Sequence, residues 1–344
     1  MNTPVTTTSP AVQPEWLAPL SPSSLAAKRL RLKHVAIALS LSILFAAVII
    51  FLALHAFIAW MFANPEVPPL FSNPLASKGM KYDTVTFPAR DKHTLVDGWY
   101  IPASQASERT IVFSHGYGAN REEYWVPMYD LAQYAHRLGY NVVMFDYGFA
   151  SEQHKTKATG GRLEKEQLLG AVELAQARGA KEVIVWGFSM GAGTALQAGL
   201  VENNGIDGMV LDSTFLLEPD TLYHNLQQFV NVPKHPSLDI LRGMFPLLND
   251  TSLNQIPYNE VKKHQYPIPT LFIHGTDDTK APYTIAEQIA ANQDPALSSS
   301  WIVPQAQHEM VYRAHSKDYL RQVSLFLERT EEREMLLAMR NEHR

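Results

Sequence analysis

The sequence predicts an α/β domain with a mainly parallel central sheet and helices on both faces, carried behind one membrane-spanning helix. Three observations carry this prediction. An uninterrupted apolar run lies near the amino terminus. From residue 83 onward, short β-branched apolar runs alternate with longer segments of helical spacing. The pentad "GFSMG", 187–191, stands between one such run and one such helix.

The apolar run is "VAIALSLSILFAAVIIFLALHAFIAWMF", residues 35–62, with no Asp, Glu, Lys or Arg. About 20 apolar residues cross the hydrocarbon core as a helix, so this run is long enough to span it with some tilt. A core helix would be amphipathic, whereas this one is apolar around its whole circumference. A cleaved signal would carry a shorter apolar region ending at a small-x-small site, which "AWMFANP" does not offer. Lys28, Arg29, Arg31 and Lys33 precede the run, and Glu66 is the first charge after it. The positive-inside rule then places the amino terminus in the cytoplasm and the rest of the chain outside. His55 is the single titratable residue of the run and is expected at its exit end. Residues 1–34 read as a cytoplasmic tail, its first 27 rich in Ser, Thr and Pro; 63–82 read as an extended linker.

The domain is expected over 83–330. "YDTVTF" and "LVDGWYI" read as an antiparallel entry, and "TIVFSHG" as a buried strand running into a loop. "EYWVPMYDLAQYAHRLG" has helical spacing and closes at Gly139. Then come strand "YNVVMFDYG", helix "LEKEQLLGAVELAQARG", strand "EVIVWG" and, after the next helix, strands "GMVLDS", "PTLFIHG" and "SSSWIVP". Such alternation gives a parallel sheet whose ligand crevice lies at the carboxyl ends of the strands. Between 215 and 266 the alternation breaks into a proline- and leucine-rich stretch, too long for a bare loop, which reads as a cap over that edge. Residues 331–344 form a charged extension.

Composition narrows the chemistry. With no cysteine, disulfides, thiolate metal sites and a Cys nucleophile are excluded. The net charge of −5 and dispersed Lys and Arg residues give no nucleic-acid footprint. No G-K-[ST] occurs and no G-x-G-x-x-G follows the first strand, so no nucleotide site is expected. "HEMVYRAH" lacks the second His that H-E-x-x-H needs, so neither metal nor cofactor is expected.

"GFSMG" fits the nucleophile-elbow pattern G-x-S-x-G, and its strand-before, helix-after context is what that mechanism demands. Ser189 must take a strained backbone conformation, and the flanking glycines leave room for it. The amides at the start of the following helix favour an oxyanion. A serine hydroxyl needs a base, and the base an orienting carboxylate. Among thirteen histidines, His308 and His315 remain at the carboxyl edge late in the chain; His308 follows the last strand by a short loop, while His315 suits the polar face of the final helix. Asp277 and Asp278, after "FIHG", and Asp212, in "VLDST", are the acid candidates.

Residues 82–328 resemble the α/β-hydrolase fold, and within it the capped serine hydrolases of the esterase, lipase and aminopeptidase-like kind. The resemblance rests on "HGYG" (115–118), the elbow, "HGTDDTKAP" and a His before the last helix, in that order. It implies Ser189 as nucleophile, His308 as base and Asp278 as acid, with the amides of Tyr117 and Met190 as the oxyanion hole and His115 as a structural loop residue. One departure is "FDYGFASEQHKTKATGG", which lacks the Arg and a Gly of the D-x-R-G-x-G-x-S-like loop of relatives, so Asp146 and Ser151 receive no role. The expected activity is hydrolysis of a carboxylic ester of a small or lipid-like acyl substrate at the outer face of a membrane. A serine peptidase resting on Glu218, Asp220 or Asp239, and a non-catalytic surface protein, are the alternatives.

Overall fold

A computed structural model of the chain describes residues 22–342. The chain divides into two units, one ending at Leu54 and the other running from His55. Helix α1, Pro22–Ala63, is one continuous helix. It begins well before the apolar run: residues 22–34, expected in a tail, are helical, because "LAAKRLRLK" is rich in strong helix formers. The remainder of the expected tail lies outside the described residues. From Ala26 to Ile50 the helix is exposed throughout, Leu39, Phe45 and Ile50 included. By length and composition it is able to cross a membrane.

In the second unit the last turns of α1 behave differently. His55, Ile58, Ala59 and Ala63 are buried. The Ala63 carbonyl accepts from the Ala158 amide at 2.8 Å, and the Ala59 carbonyl from Asn249 Nδ2 at 2.9 Å. The expected linker is also bound to the domain rather than free. The Glu122 carboxylate accepts the amides of Phe71 and Ser72 at 2.5 and 2.7 Å, and a short helix α2, Pro74–Lys78, is capped by Asn73 and by Gly79 in the left-handed region.

The sheet has eight strands: β1 (Asp83–Pro88), β2 (Leu95–Ile101), β3 (Arg109–Ser114), β4 (Asn141–Phe145), β5 (Glu182–Phe188), β6 (Gly208–Asp212), β7 (Thr270–Gly275) and β8 (Ser299–Val303). Their order is β1-β2-β4-β3-β5-β6-β7-β8. β1 and β2 pair antiparallel, β2 joins β4 antiparallel, and every later pairing is parallel. Central strands such as "VIVW" are apolar at every position because helices cover both faces. One layer contains α4 (Glu164–Ala177), α5 (Met190–Gly199), α8 (Tyr258–Lys263) and α9 (Tyr283–Ala291); the other contains α3 (Met128–Arg137), the short α10 (Val311–Ala314) and α11 (Ser316–Glu342). α3 starts later than its spacing suggests because Pro127 precedes it.

Between β6 and β7 the chain forms α6 (Pro219–Phe229) and α7 (Lys234–Asn249) before α8. Leu222 and Leu226 of α6 and Leu238, Leu241 and Phe245 of α7 are buried, so both helices turn an apolar face inward. Register brings the strand ends level: Ser114 pairs with Gly187, Phe188 with Asp212, and Gly275 with Val303. The loops after β3, β5, β6, β7 and β8 therefore leave one edge together.

Candidate active site

The turn between β5 and α5 is the tightest point of that edge. Ser189 sits at φ 48° and ψ −115°, a conformation that non-glycine residues rarely adopt. It is held there from both sides: its amide donates to the Asp212 carbonyl at 2.9 Å, and its carbonyl accepts from Phe215 at 3.0 Å. The flanking glycines are required by close approach. A methyl at Gly191 would come within 2.0 Å of the Ser114 carbonyl oxygen, and one at Gly187 within 2.7 Å of Ala192 Cα.

His308 lies in the loop after β8. Its Nε2 is 2.9 Å from Ser189 Oγ, and its Nδ1 is 2.6 Å from Asp278 Oδ2. Because a carboxylate only accepts, Nδ1 carries the hydrogen and Nε2 faces the serine hydroxyl. Asp278 is oriented in turn: Oδ1 accepts the Lys280 and Ala281 amides at 2.9 and 2.8 Å, and Oδ2 also accepts from His274 Nε2 at 3.0 Å. Burial opposes its ionisation, but the donors from His274, His308 and Ala281 outweigh burial and hold it well below the usual carboxylate range. Burial likewise opposes charge on His308, yet Glu309 and Asp278 together raise its pKa above the ordinary value.

The structure separates the other candidates. Asp277 is exposed and accepts from Thr276. Asp212 is buried but accepts from Ser213 Oγ and Tyr319 Oη, both at 2.9 Å, and does not touch His308. Burial pushes it up to about 6, against those two bonds. His315 is exposed. His115 accepts the Tyr147 amide on Nε2 at 3.0 Å and donates from Nδ1 to the Gly116 carbonyl at 2.9 Å; burial lowers its pKa to about 4, so it is a neutral loop support. Asp146 is ion-paired with Arg121 at 2.6 Å, and Ser151 donates to Asp97.

Tyr117, in the loop after β3, and Met190, the first residue of α5, lie beside the serine in the wall of one cavity. Among the described residues, neither amide donates to a protein acceptor. The Tyr117 hydroxyl donates to the Met61 carbonyl at 2.9 Å. Sequence reasoning missed two groups here. Glu123 and Glu309 are both buried, and their carboxyls converge beside Ser189. No local pattern marks them, although Glu309 adjoins His308 in the chain. It also missed that the end of α1 joins the site. A cavity of about 740 Å³ opens over Ser189 and His308, with Trp60, Met61, Phe62 and Phe215 in its wall. Among the described residues no group of three or more His, Asp or Glu side chains could hold a metal ion.

A family model described as the α/β-hydrolase fold matches residues 109–237. Among curated proteins, the chain is 26% identical over 215 residues to the uncharacterized protein YfhR of Escherichia coli K12, covering 60% of this chain and 66% of that one. It is 26% identical over 198 residues to the lysophosphatidylserine lipase ABHD12 of Danio rerio, covering 56% and 49%. The chain thus spans less than two thirds of the length of either relative. Among solved structures, the Pyrococcus furiosus esterase Pf2001 superposes with a TM-score of 0.62 at 22% identity, over 78% of this chain and 98% of its own. Mouse α/β hydrolase domain-containing protein 10 superposes with a TM-score of 0.54 at 15% identity, over 72% and 98%. With the strand order, the elbow and the family model in agreement, the chain has the α/β-hydrolase fold.

Proposed function

We propose that the protein is a serine hydrolase that cleaves carboxylic esters of amphiphilic acyl substrates, with α1 as its membrane anchor and the catalytic domain on the outer face. The observation that carries this reading is the chain Ser189 Oγ to His308 Nε2 at 2.9 Å and His308 Nδ1 to Asp278 at 2.6 Å. In it, His308 takes the Ser189 proton as Oγ adds to the ester carbonyl. The Tyr117 and Met190 amides hold the oxyanion. The imidazolium, stabilised by Asp278, then gives its proton to the departing alcohol oxygen. Water, deprotonated by His308, releases the acid from the acyl-enzyme. The aromatic and aliphatic wall of the cavity, including Trp60 and Phe62 from the end of α1, suits an acyl chain.

The acidic residues on which a peptidase reading would rest already have nitrogen partners. Glu218 is paired with Lys262, Asp220 with Lys234 and Asp239 with His235. This favours an ester over a free-amine substrate. A fluorophosphonate probe should label the wild type and not Ser189→Ala, and p-nitrophenyl esters should turn over in preference to aminoacyl anilides. Absence of wild-type labelling would refute the mechanism; preference for the anilides would move the substrate class to peptides. Protease added to intact cells should digest the domain, and its protection would overturn the orientation.

A further inference from the structure

Two glutamates that no step above uses meet at the active site. Glu123 lies in the loop after β3 and Glu309 directly follows His308; they are 1% and 3% exposed. A methyl placed on Gly116 would meet Glu123 Oε1 at 2.5 Å, Glu309 Oε1 at 2.8 Å and Ser189 Cβ at 3.4 Å, so both carboxyls converge on the face of Gly116 that looks at the serine. The two carboxyls thus face the same point beside Gly116, and each feels the charge of the other. Both residues have positive φ, 35° and 58°, and so both carboxyls are delivered by strained backbone.

Their outer bonds are accounted for. Glu123 Oε1 accepts the Gly116 amide at 2.9 Å. Glu309 Oε2 accepts from Trp125 Nε1 at 2.6 Å and lies 3.8 Å from His308 Nε2. The remaining oxygens, Glu123 Oε2 and Glu309 Oε1, are buried and have no hydrogen-bond donor among the described residues. The surroundings supply little positive charge. Arg121 is committed to Asp146, and Arg313 donates to the Tyr124 and Trp125 carbonyls. Glu122 turns to the Phe71 and Ser72 amides and the Tyr129 hydroxyl, and Asp212, on β6, adds a further buried carboxyl. His308 lies against Glu309 and leads on to Asp278, and Lys280, from the loop after β7, is the cation that acts on His308 from the cavity wall. Two carboxylates in such a place cannot both ionise without a large penalty.

We propose that Glu123 and Glu309 share one proton as a carboxylic acid–carboxylate pair that positions the Gly116–Tyr117 peptide beside Ser189. Glu123 fixes the Gly116 amide, and so the peptide that presents the Tyr117 amide; Glu309 fastens this arrangement to the His308 loop. Burial first, and then the charge of Glu309, push Glu123 well above the ordinary carboxylate value, while the Gly116 amide pulls the other way. Loss of the shared proton as pH rises would leave two adjoining anions, separate the loops and set negative charge against the developing oxyanion. These two are positioning residues, and their effect on rate rests on the ester-hydrolase reading above.

The test pairs a spectroscopic readout with a kinetic one. Infrared difference spectra of the full-length wild type across a pH titration should show a protonated carboxyl band that is absent in both Glu123→Gln and Glu309→Gln. The pH profile of kcat/KM on a p-nitrophenyl ester should fall on the alkaline side in the wild type. Glu123→Gln should flatten that fall and lower the plateau only several-fold, because the amide accepts from Gly116 and donates permanently to Glu309. Glu123→Ala, which can do neither, should lose about tenfold or more at every pH. A wild type with no protonated carboxyl band, or a Glu123→Gln variant that keeps the band or the alkaline fall, would overturn the proposal. So would a preference for aminoacyl esters that Glu309→Gln abolishes, since the pair would then bind an ammonium group. Failure of Ser189 to react with fluorophosphonate would instead sink the hydrolase reading, while the carboxyl band still decides the pair.

Discussion

Tyr117 donates its phenolic hydrogen to the carbonyl oxygen of Met61 across 2.9 Å, and so fastens the loop after β3 to the last turn of α1. The same hydroxyl is 3.2 Å from the Phe62 carbonyl, and the Tyr117 ring lies 6.5 Å from that of Phe62. The Met61 carbonyl also accepts the Asn64 amide at 3.2 Å, so the phenol adds a second donor at the helix end, where carbonyls run short of intrahelical partners, and it comes from the residue whose amide is proposed to hold the oxyanion. Tyr117→Phe should keep the ring packing and lose the tie. The expected result is a fall in kcat of roughly three- to tenfold, as for loss of one net hydrogen bond, with KM for a short ester nearly unchanged. Steady-state kinetics on a short and a long acyl ester check this; an unchanged kcat on both would mean that the tie does not govern the loop.

The three acid candidates make separable predictions. Asp278→Asn should lower kcat by roughly 10³ to 10⁴, because the amide can no longer hold the His308 tautomer and stabilise the imidazolium. Asp277→Asn, at an exposed position, should change it by less than about twofold. Asp212→Asn should act on stability before chemistry, since Asp212 accepts from Ser213 and Tyr319 and not from His308. Turnover and thermal melting of the three variants decide the ranking.

What could be read in the sequence was what is local or repeats with secondary structure. The strand-to-helix alternation foretells the parallel sheet, because strands covered on both faces must be apolar throughout. Ser189, Asp278 and His308 were legible as neighbours because parallel strands deliver the loops after them to one edge. The Glu123–Glu309 pair was not legible, since each residue is a loop glutamate that composition assigns to solvent and only the tertiary fold brings them together. The role of the α1 terminus was hidden for another reason: "FIAWMF" is equally apolar whether it meets lipid or a cavity. The 63–82 segment looked free because much of what holds it is backbone, its Phe71 and Ser72 amides donating to Glu122 and its Pro68 carbonyl accepting from Asn120. The partners of its few anchoring side chains, Met80 in the core and Lys78 on Asp130, lie far along the chain.

The pH dependence of turnover should place its acid limb above the ordinary histidine value of about 6.5. His308 acts as a base only when neutral, and its pKa is raised because Glu309 and Asp278 outweigh the opposing effect of burial. Activity therefore disappears as pH falls through that raised value, not through the unperturbed one. Because these partners are buried, raising the salt concentration should hardly move the limb. A profile of kcat/KM against pH at two ionic strengths provides the measurement, and a limb at or below the unperturbed value would refute the assignment.

The last prediction concerns the ion pair under the same loop. Arg121 and Asp146 are both nearly inaccessible and meet at 2.6 Å, while the Arg121 amide donates to the other Asp146 oxygen at 2.7 Å and its guanidinium lies 4.8 Å from the Trp99 ring centre. Removing one partner from such a pair leaves a buried charge without compensation, which costs about 3–5 kcal/mol. Arg121→Ala should therefore lower the melting temperature by many degrees. Arg121→Met combined with Asp146→Asn removes both charges and should recover much of that loss, because the desolvation penalty disappears with the attraction. If the double variant melts no higher than Arg121→Ala, the pair acts through packing on Trp99 and the bond to the Arg121 amide, not through its charges.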